Sequence, residues 1–335
     1  MSTLAAVETA GVATLPAIVL VHGGVLVDGR IAWRRHGSAD RPAVLVLGGI
    51  SAHRDVAAQD DGEGWWSDVV GAGRAVDTDA FNVIGIDWLG GSGASTQASE
   101  LPRLHGDIPA ITPADQAAAI VALLDVLGID ALHACVGSSY GGMVALALAA
   151  RFAERVNRLV VLCAAHEPHP MATALRSLQR AVVRDGIAKG DGAHALHIAR
   201  GIAMTTYRSA REFAARFDTR PRDDADGFRF AVEDYLAHHG RAFAQRFTPD
   251  AFLCLSQSID LHRIEPADVR VPSTLIAFEP DAVTPAWQVR ELARQLGARW
   301  TLRVLPSIYG HDAFLKEVEA VSRIVKDALC TEVAP

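Results

Sequence analysis

Short runs of apolar and β-branched residues alternate along the chain with longer stretches whose apolar positions recur at helical spacing. Residues 17–21, 31–34, Ala43–Leu47 and 82–87 read as strands, and 117–127 as a helix. Residues 131–136 read as a strand, 143–152 as a helix and 159–163 as a further strand. The rhythm resumes after Pro272 with a strand over Ser273–Phe278, a helix over 286–296, a strand over Trp300–Leu305 and a closing helix over 321–329. Strands alternating with helices predict an α/β fold with a mostly parallel central sheet flanked by helices. Between 175 and 263 the character changes: Arg, Ala, His and Phe recur at helical spacing and no strand-like run occurs. This predicts a helical lid insertion over the C-terminal ends of the strands, where open α/β sheets bind ligands, with 17–174 and 264–335 forming the core. The Ala/Thr-rich start reads as frayed.

Composition narrows the classes that fit. With 335 residues, 50% of them hydrophobic and 21% charged, the chain can bury a substantial core. The net charge of −7 and the lack of any long basic run argue against a nucleic-acid or lipid-headgroup partner. No charged segment precedes an apolar stretch at residues 1–16, and no stretch of about 18 apolar residues follows. A cytoplasmic protein with no membrane partner is expected. Cys135, Cys163, Cys254 and Cys330 are widely spaced, which fits free thiols better than a disulfide or zinc framework.

The chemistry is concentrated in Gly137-Ser138-Ser139-Tyr140-Gly141, between an apolar run and a small-residue helix. A strand that turns sharply into a helix presents its central serine as a nucleophile, and the flanking glycines let the two backbones pass closely. A serine hydroxyl needs a base within reach and a third group to orient that base. Asp281 follows one strand-like run and His311 the next, in the order serine, acid, histidine typical of α/β-hydrolase folds. The expected catalytic residues are therefore Ser139, Asp281 and His311, with no metal. Acyl transfer also needs backbone N–H groups aimed at the developing oxyanion. Tyr140 supplies one, and the loop Gly48-Gly49-Ile50-Ser51-Ala52 supplies the second from Ile50 or Ser51. His166-Glu167-Pro168-His169-Pro170 resembles a zinc motif only superficially, because its prolines prevent the helix that such a motif requires. It reads as a loop at the mouth of the site. Arg176, Arg180 and Arg208 are candidate carboxylate ligands on the insertion.

Around these residues the chain resembles the homoserine O-acyltransferase family. The resemblance rests on Gly64-Trp65-Trp66, on the segments 71–78 and 89–96, on 111–116 with 124–129, on Thr206-Tyr207-Arg208-Ser209 and on the segment 310–315. It implies that Ser139 accepts an acyl group from acyl-CoA and passes it to the hydroxyl of L-homoserine by double displacement, in methionine biosynthesis. Arg208 then matches the residue that holds the substrate carboxylate and Asp312 the acid that receives its ammonium group. The family also implies a homodimer formed through the lid and no permanently bound cofactor. The oxyanion loop lacks the family's usual histidine, Asp87-Trp88 replaces an asparagine-containing pair, and Tyr140 stands where methionine is usual. The missing histidine implies a roomier acyl pocket and a succinyl-CoA donor, acetyl-CoA being the alternative. Transfer to serine, feeding cysteine synthesis, and simple ester hydrolysis are the competing reactions for the same residues.

Overall fold

The computed structural model describes residues 9–58, 62–103, 109–224 and 227–330. Among them, an eight-stranded sheet runs through the molecule. Its strands are β1 (Ala10–Thr14), β2 (Arg30–His36), β3 (Ala43–Leu47), β4 (Asn82–Ile86), β5 (Ala134–Ser138), β6 (Leu159–Leu162), β7 (Ser273–Phe278) and β8 (Trp300–Leu305). They lie in the order β1-β2-β4-β3-β5-β6-β7-β8, antiparallel across β1, β2 and β4 and parallel from there on. All five residues of β3 and of β5 are buried, so both faces of the sheet centre are covered. The strand pleat divides their side chains between two cores. Leu45 and Leu47 pack on one side with helices α1 (Pro113–Val126) and α2 (Tyr140–Arg151). Val44 and Val46 pack on the other, against Val321, Val325 and Leu329 of the C-terminal helix.

Between β6 and β7 the chain forms α3 (Pro170–Ala188), α4 (Gly192–Tyr207), α5 (Ala210–Arg216), α6 (Ala231–Ala244) and α7 (Pro249–Asp260). α4 packs on both α3 and α6, and α3 also meets α7. Helix α8 (Ala286–Gln295) joins β7 to β8, and α9 (Ala313–Lys316) and α10 (Val318–Cys330) close the fold.

Several local expectations differ from this arrangement. The strand expected at 17–21 shrinks to Ile18–Val19, paired only with Val25–Leu26 outside the main sheet. Its neighbour Ala10–Thr14, within the segment read as frayed, is instead the sheet's edge strand, ordered by its ladder to β2; residues 1–8 lie outside the described residues. The segment 175–263, expected to be free of strands, carries a short hairpin pairing Arg222–Asp224 with Gly227–Arg229. Helix α1 begins at Pro113, before the predicted 117, because Thr112 caps it. The Thr112 hydroxyl accepts from the Asp115 N–H at 3.2 Å, and the Asp115 carboxylate accepts in return from the Thr112 N–H at 2.8 Å. All four cysteines are free; Cys135, Cys163 and Cys254 are buried and Cys330 is exposed.

Candidate active site

The site is assembled where β3, β5, β7 and β8 end. At the end of β5 the backbone reverses so sharply that Ser139 adopts φ 54° and ψ −119°, strained values for a residue with a side chain. The close approach explains the flanking glycines. A Cβ on Gly137 would fall 2.3 Å from the Gly141 carbonyl oxygen, and one on Gly141 would fall 2.4 Å from that of Leu47. The strand, the turn at Ser139 and helix α2 therefore fit together only without those methyl groups.

Asp281 and His311 arrive on neighbouring strands. Asp281 follows β7, where its Oδ1 accepts from the N–H groups of Val283 and Thr284 at 2.8 and 2.9 Å. Its Oδ2 lies 2.7 Å from His311 Nδ1, and His311 Nε2 lies 2.8 Å from Ser139 Oγ. The carboxylate fixes the ring proton on Nδ1, which leaves Nε2 free to accept the serine proton. Both side chains are buried, with His311 3% and Asp281 4% exposed. Burial alone would depress the His311 pKa. The Asp281 charge and hydrogen bond, helped by the Asp312 charge, outweigh it and hold the imidazole above its ordinary value. Cys163, also with positive φ, brings its thiol to within 4.8 Å of the same imidazole and carboxylate atoms. The acid and base are engaged with each other, and burial, reinforced by Asp281, raises the thiol well above its usual range. A thiolate ligand for a metal is therefore disfavoured there.

The start of α2 and the loop after β3 both border the same serine. Tyr140 is the first residue of α2, so its N–H has no intrahelical acceptor, whereas the next one, Gly141 N–H, donates to the Gly48 carbonyl at 2.8 Å. Through that bond the start of α2 is tied to the loop after β3, which carries Ile50 and Ser51 alongside Ser139.

Two chambers meet at the serine. One, of about 760 Å³, is lined by Met143, Met171, Leu175, Arg176 and Gln179. The other, of about 840 Å³, is lined by Ile50, His53, Arg200, Arg246 and Asp312. Ser139, Tyr207, Ile259 and His311 line both. On the first side Arg176 and Arg180 share the Asp260 carboxylate, each at 2.6 Å, and Arg180 also donates to the Ser256 carbonyl and hydroxyl. On the second side Arg208 pairs with Glu212 and with Asp312, both at 3.0 Å.

The residues expected from the sequence thus fall into groups. Ser139, His311 and Asp281 are joined in one hydrogen-bonded chain, with Tyr140, Ile50 and Asp312 around it. Arg208 touches Asp312 without lining either chamber, and Arg176 lines the first chamber while Arg180 stands behind it. Pro168, from the segment read as a loop at the mouth, lines the first chamber. Sequence reasoning assigned no role to Tyr207, Gln179, Arg200 or Arg246. Tyr207 lies within the quoted Thr206-Tyr207-Arg208-Ser209 block and was accessible to it; Gln179 and Arg200 are ordinary helix residues, and Arg246 an ordinary turn residue after α6, until the helices are folded over the serine.

Comparison with known proteins identifies the family. The α/β-hydrolase fold family matches residues 42–318. A homoserine O-succinyltransferase of Xanthomonas campestris pv. campestris is 44% identical over 304 residues, covering 90% of this chain and 79% of the relative. A homoserine O-acetyltransferase of Thermus thermophilus is 34% identical, covering 90% of this chain and 86% of the relative. The crystal structure of a homoserine O-acetyltransferase from Bacillus anthracis superposes with a TM-score of 0.87 over 97% of this chain and 98% of that one; at 18% identity it speaks for the fold. With the sheet order, the family match and these relatives together, the chain belongs to the homoserine O-acyltransferase family of α/β-hydrolase-fold enzymes.

Proposed function

We propose that this enzyme moves an acyl group from acyl-CoA to the side-chain hydroxyl of L-homoserine, a step in methionine biosynthesis, through an acyl-enzyme on Ser139. The observation that carries the reading is the Ser139–His311–Asp281 chain placed between two chambers with different charged groups. His311 Nε2 takes the Ser139 proton as Oγ attacks the thioester carbonyl, and the Tyr140 and Ile50 N–H groups receive the oxyanion. Collapse breaks the C–S bond, and the proton on Nε2 leaves with the CoA thiol. The homoserine hydroxyl then gives its proton to Nε2 and attacks the same carbonyl, and Ser139 departs with that proton.

Leaving thiol and incoming hydroxyl must use the same face of the acyl group, so one chamber serves both while the acyl chain stays in the other. Asp312 lines the larger chamber and suits the ammonium group of the acceptor, while Arg208, paired to it in the free enzyme, suits the carboxylate. Helices α3 to α7 act as the lid over both chambers and as the contact between two copies in a homodimer. The smaller chamber, with Met143, Met171, Ala172 and Leu175 beside Arg176 and Gln179 in its lining, holds the acyl chain, and Arg176 can receive a terminal carboxylate. This, with the 44% identical homoserine O-succinyltransferase, supports succinyl-CoA as the preferred donor.

The test is release of free thiol from succinyl-CoA and acetyl-CoA with homoserine, serine or no acceptor. Release that depends on homoserine is expected. Release dependent on serine instead would assign the enzyme to cysteine synthesis, and equal release without acceptor would make it a hydrolase.

A further inference from the structure

Trp88 lies outside the catalytic chain, yet its side chain touches the supports of both expected oxyanion donors. It follows β4, is 3% exposed, and its indole Nε1–H donates to the Gly49 carbonyl at 3.0 Å. The same carbonyl accepts from the Ala52 N–H at 2.9 Å. Two donors on one carbonyl fix the plane of the Gly49–Ile50 peptide. That peptide is planar and trans, so its N–H points opposite to its C=O. Holding the Gly49 oxygen therefore sets where the Ile50 N–H points, and bonding at the carbonyl polarises the peptide and strengthens the N–H as a donor.

The other edge of the arrangement is Tyr140. Its ring meets that of Trp88 edge to face, with centroids 4.9 Å apart and planes at 75°. The Tyr140 hydroxyl is anchored in turn by a 2.7 Å hydrogen bond with the Ser258 hydroxyl. One indole thus braces the loop that carries Ile50 and the residue whose N–H is the second donor.

We propose that Trp88 is a positioning residue for the oxyanion hole, acting through the Gly49 carbonyl on the Ile50 N–H and through the Tyr140 ring on the start of α2. The proposal rests on the reading of Ser139 as an acyl-transfer nucleophile. Because both half-reactions pass through a tetrahedral oxyanion, loss of the indole N–H slows both, while the chambers that bind ground-state substrates are unaltered.

Trp88→Phe keeps an aromatic ring against Tyr140 and removes the donor. Complete loss of an oxyanion donor costs about a hundredfold or more, so misdirecting one is expected to lower kcat about tenfold. The acyl-CoA burst and the hydrolysis of p-nitrophenyl acetate fall by that factor, KM stays within about twofold, and a boronic acid that adds to Ser139 as a tetrahedral anion binds more weakly by the same factor. Unchanged kcat, or unchanged boronic acid affinity beside altered KM, overturns the proposal. Should the phenylalanine variant not fold, site-specific replacement of Trp88 by its benzothiophene analogue preserves ring shape, removes only the N–H, and is read in the same way. The chromogenic ester reports on the oxyanion whatever the natural donor and acceptor, so loss of homoserine transfer with normal ester cleavage counts against the proposed function alone.

Discussion

On the two sides of Ser139 the fold places ion clusters built from the same parts in opposite proportion. Beside α3 and α7, two guanidiniums, Arg176 and Arg180, share one carboxylate, Asp260. Beside α5, one guanidinium, Arg208, meets two carboxylates, Glu212 and Asp312, while Arg216 reaches Glu212 only at 3.8 Å from a half-exposed position. The formal surplus is one positive charge in the first trio and one negative charge in the second, with Arg200 and Arg246 standing apart from that second trio in the lining of the same chamber. Buried charges are expensive to desolvate, and under the proposed function a ligand completes each residual charge beside Ser139. An acyl chain ending in a carboxylate and an acceptor bearing an ammonium group are ligands of those two signs.

The comparison has meaning only if the serine between the clusters is the acyl carrier. Ser139→Ala is expected to cost at least about a thousandfold in turnover and to abolish the covalent adduct. Mass spectrometry of the intact protein after exposure to acyl-CoA checks this; an acyl group retained in the variant places the chemistry elsewhere.

The next largest effect separates the two sides. Arg208→Ala is expected to lower kcat/KM for homoserine about a hundredfold, in the range for truncating one partner of a buried charge pair, with the acylation burst retained. Equal loss in both half-reactions would make Arg208 a brace for the His311 turn. On the opposite side, Arg176→Met leaves Arg180 to balance Asp260 and is expected to reduce the preference for succinyl-CoA over acetyl-CoA about tenfold, or about 1.4 kcal/mol. The ratio of kcat/KM for the two donors measures it, and a constant ratio breaks the assignment.

The smallest effect is on pH. His311 must be neutral to act as base, and its pKa is held above the ordinary value despite burial, because Asp281 and secondarily Asp312 favour the charged ring. Activity is therefore lost as pH falls through that raised pKa. Asp312→Asn removes one of the raising charges, so the acidic limb of the pH profile is expected to move to lower pH, by less than about one unit.

How much of this was legible in the sequence depended on whether the signal was local. The sharp turn at Ser139 was readable because glycines at fixed offsets are demanded by contacts between adjacent elements, as the Gly137 and Gly141 clearances show. Asp281 and His311 were readable because each follows a strand at the same edge of the sheet. Thr112 and Asp115 offered a helix-start signature that the apolar period, beginning later, obscured. Residues 10–14 carry little strand character of their own, and their order comes from pairing with β2. The partnership of Arg208 with Asp312, and of Trp88 with the Gly49 carbonyl, joins residues far apart in the chain with no periodicity to announce them. Charge surplus is likewise a property of three side chains at once, invisible until α3 meets α7 and until the end of α4 and the start of α5 meet the turn at Asp312.

The distribution of cysteines has a practical side for enzymology. Three thiols are sealed in the interior, where burial raises their pKa, to about 12 for Cys254, and only Cys330 faces solvent at the end of α10. A chromogenic disulfide reagent should consume one equivalent per native chain and four after denaturation. Once Cys330 is blocked, every further equivalent released in a reaction with acyl-CoA is a turnover, and the amplitude of the first rapid phase counts active sites directly.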